Sequence, residues 1–311
     1  ADAEFAIEVD PRGFTADAAR TLGTAGVTRA SIGLQDCDPL VQKAINRVQS
    51  DEETIFAIEQ LRGCGVASIN VDILYGLPHQ TLTSWQRTLE FALELDPDRL
   101  AVFGYAHMPD FKKHQALIPE ALLPDIEMRF RMAERAREFF CGHGYVAVGL
   151  DHFTKPRDPL GRAARDGTLS RNFQGYTDDP APVLIPIGPS AIGHFREGFV
   201  QNAIATDTWA AAIAENRLPL ARKLSLDAED RLRAAVIERL MCDLDVDVEA
   251  TCRTYGAAPD SLDACLTAAR GAEADGLCHV VGRRVSIPED ARRLMRVVAA
   301  CFDARLPPVA Q

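Results

Sequence analysis

The residues best placed to do chemistry are the polar ones that end, or interrupt, short apolar runs. Glu8 and Asp10 close the run EFAIEV at 4–9, and Gln35 and Asp36 follow RASIGL at 29–34. Asp72 breaks SINVDILY at 68–75, which ends on Tyr75, while Tyr105 and His107 stand at the end of RLAVFGYA at 99–106. Acids and amides gathered at strand ends would ring a pocket with hydrogen-bond acceptors. That suits a ligand rich in hydroxyls and amines, such as a ribose or an α-amino group. Asp72 is the most pointed case, because its neighbours Ile69, Val71, Ile73 and Leu74 are apolar, and a buried carboxylate needs a partner. Two partners are open to it: a ligand, or the backbone N–H groups of a neighbouring loop. Glu8 and Gln35 read either as ligand contacts or as ordinary polar residues at a solvated rim. Arg47, in NRVQSDE, reads as a loop-anchoring residue until something else assigns it.

These residues need a scaffold, and the pattern around them is regular. Helical stretches are expected at 16–25 with Thr15 as N-cap, at 39–45, at 52–64 and at 84–95, where Asp96-Pro97 stops the helix. Ser50 and Glu53 have capping-box spacing. Strand–helix–strand units of this length fit right-handed parallel crossovers, whose strands are buried on both faces and read as apolar runs. Without a G-x-G-x-x-G, four such units point to a barrel or partial barrel, with chemistry at the carboxyl ends of the strands.

A helix at 125–141 closed by Gly142, a strand at 145–150 and an irregular stretch at 151–182, with the character of a functional loop or lid, come next. From about 218–225 onward only helices are expected, at 228–242, 248–255 and 261–274. A hairpin LCHV–GR–RVSI and a last helix at 289–302 complete a winged-helix-like pattern. The fold class expected is α/β, with domains at 1–220 and 221–311.

Charge narrows the function classes. The chain has 34 Lys and Arg against 45 Asp and Glu, a formal net charge of −11. Residues 221–311 carry 13 Arg and Lys against 15 Asp and Glu, so the winged-helix pattern lacks the basic footprint of a duplex reader. Neither a nucleic acid nor a membrane is expected as partner, and the absence of a long apolar run points to a cytoplasmic protein. Eight cysteines occur without a C-x-x-C pair, and the histidines without an H-x-x-x-H pair. The thiols read as reduced and buried, and no metal ligands are expected in this sequence. The glycine-bearing loops YGLPHQT and IPIGPSAIGHF lack Walker or Rossmann spacing.

Several segments, in order and spacing, resemble the oxygen-independent coproporphyrinogen III oxidase family of radical S-adenosylmethionine (SAM) enzymes. They are EVDPR at 8–12, IGLQDCDPLVQKAINRVQSDE at 32–52, INVDILYGLPHQT at 69–81, DRLAVFGYAHMP at 98–109, GLDHF at 149–153, SRNFQGYT at 170–177 and GPSAIG at 188–193. The resemblance runs through nearly the whole chain, and RNFQGYT with DHF is its most specific part. It implies a partial (β/α)6 barrel that binds SAM and a [4Fe–4S] cluster, the cluster being served by an electron donor. It also implies the reaction: a 5′-deoxyadenosyl radical takes hydrogen from two propionates of coproporphyrinogen III in turn. Each propionate loses carbon dioxide and becomes a vinyl group, giving protoporphyrinogen IX for haem synthesis. Carried onto matching positions, Glu8, Gln35, Arg47 and Asp72 would contact SAM through side chains, and Ala106 and Ile192 mostly through backbone or apolar surface.

The family's C-x-x-x-C-x-x-C cluster loop has no counterpart in this sequence, which opens with ADAEFAIEV directly in a strand. The expectation is of a chain that starts after that loop, lacks the first barrel strands and does not turn over by itself. A radical-SAM haem chaperone, which shares the barrel motifs and binds haem instead, is the competing reading. Catalytic residues are not legible. Arg157, Arg162, Arg165 and Arg171 have the right chemistry for substrate propionates and read equally well as a solvated basic loop.

Overall fold

The computed structural model describes residues 3–306. The chain divides into two compact units, Ala1–Gly161 and Arg162–Gln311. The first is built on a six-stranded sheet in the order β1-β2-β3-β4-β6-β5. Strands β1 (Ala6–Val9), β2 (Arg29–Gln35), β3 (Ser68–Tyr75) and β4 (Arg99–Gly104) run parallel. The connections carry helices α1 (Ala16–Thr24), α2 (Pro39–Ala44), α3 (Asp51–Gly63) and α4 (Leu82–Glu94). After α5 (Ile126–Gly142), the short strands β5 (Val146–Val148) and β6 (His152–Thr154) form an antiparallel pair, and β6 adds antiparallel to β4.

Local chemistry sets these bounds. Thr15 Oγ1 accepts from the Ala18 N–H, capping α1. At α3, Ser50 and Glu53 exchange side-chain and backbone hydrogen bonds at 3.2 and 2.8 Å, the reciprocal capping box their spacing implies. One face of the sheet is covered by helices. Its core holds Ile32, Leu34, Ile69, Val71, Ile73, Leu100 and Val102 against Leu61, Trp85, Leu89, Met132 and Phe140. Trp85 is fully buried and donates from Nε1 to the Met132 carbonyl at 2.9 Å, which ties α4 to α5.

The helix α6 (Pro159–Asp166) spans the boundary in sequence. The second unit opens with a hairpin of β7 (Ser170–Asn172) and β8 (Gly175–Thr177), so the irregular stretch at 151–182 contains short regular elements. An antiparallel sheet follows, made of β9 (Ile192–Phe195), β10 (Gly198–Asn202) and β11 (Leu220–Ser225), with α7 (Thr206–Ala214) before β11. The segment at 218–225, read as the start of an all-helical region, is thus an edge strand. Its side chains are all exposed, so no apolar alternation marks it in sequence. Then come α8 (Ala228–Asp243), β12 (Asp245–Asp247), α9 (Val248–Thr254), α10 (Asp263–Ala274), the hairpin β13 (His279–Val281) and β14 (Arg284–Ser286), and α11 (Met295–Ala300). Strand β12 joins the hairpin in a three-stranded sheet, which completes a winged-helix-like arrangement.

Candidate functional site

Successive side chains of a strand point to opposite faces of its sheet. Since Val9, Ile32, Val71, Ile73 and Leu100 lie in the helix-covered core, Glu8, Ser31, Gly33, Asn70, Asp72 and Ala101 occupy the other face. Register aligns them: Glu8 is opposite Ser31, and Asp72 stands between Gly33 and Ala101. His152 of β6 is opposite Ala101, and its ring meets Phe103 edge-on at 5.7 Å.

Asp72 finds its partners among side chains of this face, not among loop N–H groups. Ser31 Oγ donates to Oδ2 at 2.8 Å, and Asn70 Nδ2 donates to Oδ1 at 2.7 Å and to Ser31 Oγ at 2.8 Å. Loss of water raises the pKa of this carboxyl, and the nearby charge of Glu8 adds to the shift, while the hydrogen bonds from Ser31 and Asn70 oppose it. Ser31 and Asn70 were not singled out in the sequence. For Asn70 the signal was there, a polar residue two before Asp72 in a largely apolar strand, whereas Ser31 comes from the neighbouring strand β2 and meets Asp72 only through register.

Gln35 ends β2 in a left-handed conformation, φ +67°, just after a register shift in the β2–β3 pairing. Arg47, which follows α2, reaches back to donate to the Gly33 carbonyl at 2.8 Å and to Asp10 at 3.3 and 3.4 Å. Its Nε is buried without a hydrogen-bond partner. Asp10 also accepts a forked pair from Arg12, the shortest bond being 2.6 Å, and these bonds hold its pKa down at about 2.

Gly33 makes this crowding feasible. A Cβ there would stand 2.8 Å from Gln35 Nε2 and 2.9 Å from Arg47 Nη2. Gly33→Ala should therefore shift both flexible side chains at small cost in stability, while reducing affinity for a ligand held by them by about tenfold, or ~1.4 kcal/mol. Calorimetric titration with SAM alongside a thermal melt checks this. An unchanged affinity would separate Gln35 and Arg47 from binding.

Asp36 does something else. It is fully buried, accepting from Gln80 Nε2 at 2.6 Å and from the Asp38 N–H at 2.7 Å. Gln80 also donates to the Leu74 carbonyl and accepts from the Leu77 N–H, both at 2.8 Å, and Gln42 donates to the Asp36 carbonyl at 2.9 Å. The QD turn is thereby clasped to the YGLPHQT loop, fixing the ends of β2 and β3. Asp36 is a strut beneath the ring.

Ala106 is exposed just past β4, and its carbonyl accepts from Gln115 Nε2 at 3.1 Å. Beside it, Tyr105 Oη and His107 Nδ1 are 3.1 Å apart, and Arg129 donates to the Tyr105 carbonyl at 2.6 Å. Glu8, Gln35, Arg47, Asp72 and Ala106 thus all belong to the first unit's parallel sheet and its loops. Ile192 starts β9 in the second unit.

Residues 1–92 match the radical SAM superfamily. Over 306 residues the chain is 45% identical to the oxygen-independent coproporphyrinogen III oxidase of Bradyrhizobium diazoefficiens, covering 98% of this chain and 68% of that one. The chain belongs to this family. A relative of the same name from Thermostichus vulcanus is 38% identical, with 98% of this chain matched to 94% of the relative. The fold agrees with the coproporphyrinogen III oxidase (HemN) of Escherichia coli at a TM-score of 0.93 and 35% identity, over 98% of this chain and 70% of that one.

Membership of this family brings SAM and a [4Fe–4S] cluster as cofactors. The first fits the residues present: acids and an amide for hydroxyls and an amine, the buried unpaired Nε of Arg47, and a cradle at Gly33 that a Cβ would fill. For the cluster, no group of three or more His, Cys, Asp or Glu stands together among the described residues. The eight cysteines are all free, and Cys242, Cys252, Cys265 and Cys278 are buried. Burial raises the pKa of Cys242 to about 12 and that of Cys278 to about 11, so these thiols resist forming the thiolates that bind iron.

Proposed function

We propose that the open face of the β1–β4 sheet is the SAM site of an enzyme that converts coproporphyrinogen III to protoporphyrinogen IX by oxidative decarboxylation. The observation that carries the reading is the convergence of Glu8, Asp72, Gln35 and Arg47 around the Gly33 cradle, on elements matching the radical SAM superfamily. Asp72 and Glu8 accept hydrogen bonds from the ligand's amine and hydroxyls, and their negative charge favours a sulfonium cation. Arg47 presents a cation to a carboxylate, and Ala106 offers backbone surface. SAM, when bound, supplies the radical chemistry that removes hydrogen from a propionate. Asn70 and Ser31 hold the Asp72 carboxylate in one orientation, so the ligand meets a preset acceptor.

An electron donor and a small-molecule substrate are the partners this reading needs. The net charge of −11 disfavours nucleic acid and anionic lipid. No helix among the described residues is long and apolar enough to cross a membrane, and a cytoplasmic setting fits the reduced cysteines. Anaerobic assay with SAM and coproporphyrinogen III, on a chain extended to carry a C-x-x-x-C-x-x-C cluster loop ahead of this sequence, tests the proposal. The expected result is two carbon dioxides and two vinyl groups per substrate. Stoichiometric haem binding without vinyl product would instead favour the haem-chaperone reading.

A further inference from the structure

A second pocket, opposite in sign to the first, opens on the antiparallel sheet of the second unit. It has a volume of about 430 Å³, within the range of small-molecule sites. In the β9–β10–β11 register, Ile192 pairs with Gln201 and Gln201 with Arg222, while His194 pairs with Phe199 and Phe199 with Leu224. These residues therefore share one face. Ile192, Phe199 and Leu224 make its apolar floor, His194 stacks on Phe199 at 4.5 Å, and Phe173 of the RNFQGYT segment adds a wall.

Two cations border this floor: Arg222 shares its face, and Lys223, the next residue of the edge strand β11, starts from the opposite face and lines the pocket at its rim. Among the described residues Arg222 and Lys223 line the pocket and no Asp or Glu does, in a chain where acids outnumber bases 45 to 34. Neither side chain makes a hydrogen bond or ion pair among the described residues, whereas Arg217, Arg231, Arg233 and Arg239 of the same unit are all engaged. An apolar floor with uncommitted cations at its edge suits a ligand that is a flat or puckered hydrocarbon-rich ring system bearing carboxylates. The parallel sheet, with Glu8, Asp10 and Asp72, has the wrong sign for such a ligand.

We propose that this pocket holds one edge of the tetrapyrrole substrate, with pyrrole rings on Phe199, Leu224 and Phe173 and propionates on Arg222 and Lys223. The inference rests on the substrate reading above and adds a location and two named anchors. Arg222 is the stronger, since its planar fork matches a carboxylate in two parallel hydrogen bonds. None of the four arginines singled out from the sequence, Arg157, Arg162, Arg165 and Arg171, lines this pocket.

Fluorescence titration with coproporphyrin III, the stable aromatic form of the substrate, and with its tetramethyl ester tests the assignment. The protein should bind the free acid about tenfold or more tightly than the ester. Arg222→Gln with Lys223→Gln should abolish that preference while leaving ester affinity and calorimetric SAM affinity unchanged. Both side chains are exposed, so folding should not suffer, and a thermal melt verifies it. Leu224→Glu, which puts an acid on the floor, should weaken both ligands. A free-acid preference that survives in the double variant overturns the pocket alone. A wild-type protein that binds neither porphyrin overturns the substrate reading as well.

Discussion

Asp72→Ala is expected to weaken SAM binding by about 1–3 kcal/mol, roughly 5- to 150-fold, with little loss of fold stability. The carboxylate lies on the open face of β3, and among the described residues only Ser31 and Asn70 hold it by hydrogen bonds. Removing it leaves those two bonded to each other, since Asn70 Nδ2 already donates to Ser31 Oγ. The protein therefore loses little, whereas a ligand amine or hydroxyl loses a charged acceptor. Calorimetry and thermal melts on the same variant separate the two roles. Unchanged affinity with a lower melting temperature would make Asp72 a structural carboxylate. Because burial raises the Asp72 pKa, binding should also weaken as pH falls, and at a higher pH than an ordinary carboxylate would give. The charged acceptor is the form that protonation removes.

Trp85→Ala should cost about 3–5 kcal/mol, the range for deleting a fully buried large aromatic side chain. Trp85 fills the layer between α4, α5 and the helix-covered face of the sheet, and its ring lies 6.3 Å from that of Tyr75 at the end of β3. Its indole N–H is bonded to the Met132 carbonyl, so the loss includes a buried hydrogen bond. Trp85→Phe, which keeps most of the volume and forfeits that bond, should cost about 1–2 kcal/mol. Denaturant titrations of both variants measure the difference. Equal stability of Trp85→Ala and the parent would mean that α4 and α5 do not share the core described above. Because α4 follows the YGLPHQT loop, SAM affinity should fall in Trp85→Ala and largely survive in Trp85→Phe.

The parallel half of the first unit was legible because each signal there is local. Apolar runs of five to eight residues, a capping box at Ser50 and Glu53, and Asp96-Pro97 after α4 act through a few consecutive residues. Asp72 was legible for a related reason: one carboxylate among Ile69, Val71, Ile73 and Leu74 is a local contradiction that requires a partner. The two roles of the QD pair were not. Gln35 and Asp36 are adjacent strand-end polar residues, and only the left-handed turn at Gln35 and the arrival of Gln80 from the next loop send Asp36 into the interior.

The sheet at 192–225 lay beyond local reading for the same physical reason. Its edge strand β11 is exposed along its whole length, so its strand character comes from pairing with β10 across an intervening helix, and no amphipathic pattern records that pairing. The sequence by itself determined the order of the parallel strands, the helices that connect them and the acidic residues at their ends, since propensity, capping and burial act within short segments. Tertiary structure alone decided which polar residues meet: Asn70 with Ser31 and Asp72, Arg47 with Asp10 and Gly33, and Arg222 with the apolar floor under Phe199. Such contacts depend on register between strands distant in sequence, and register is set by the packing of the whole unit.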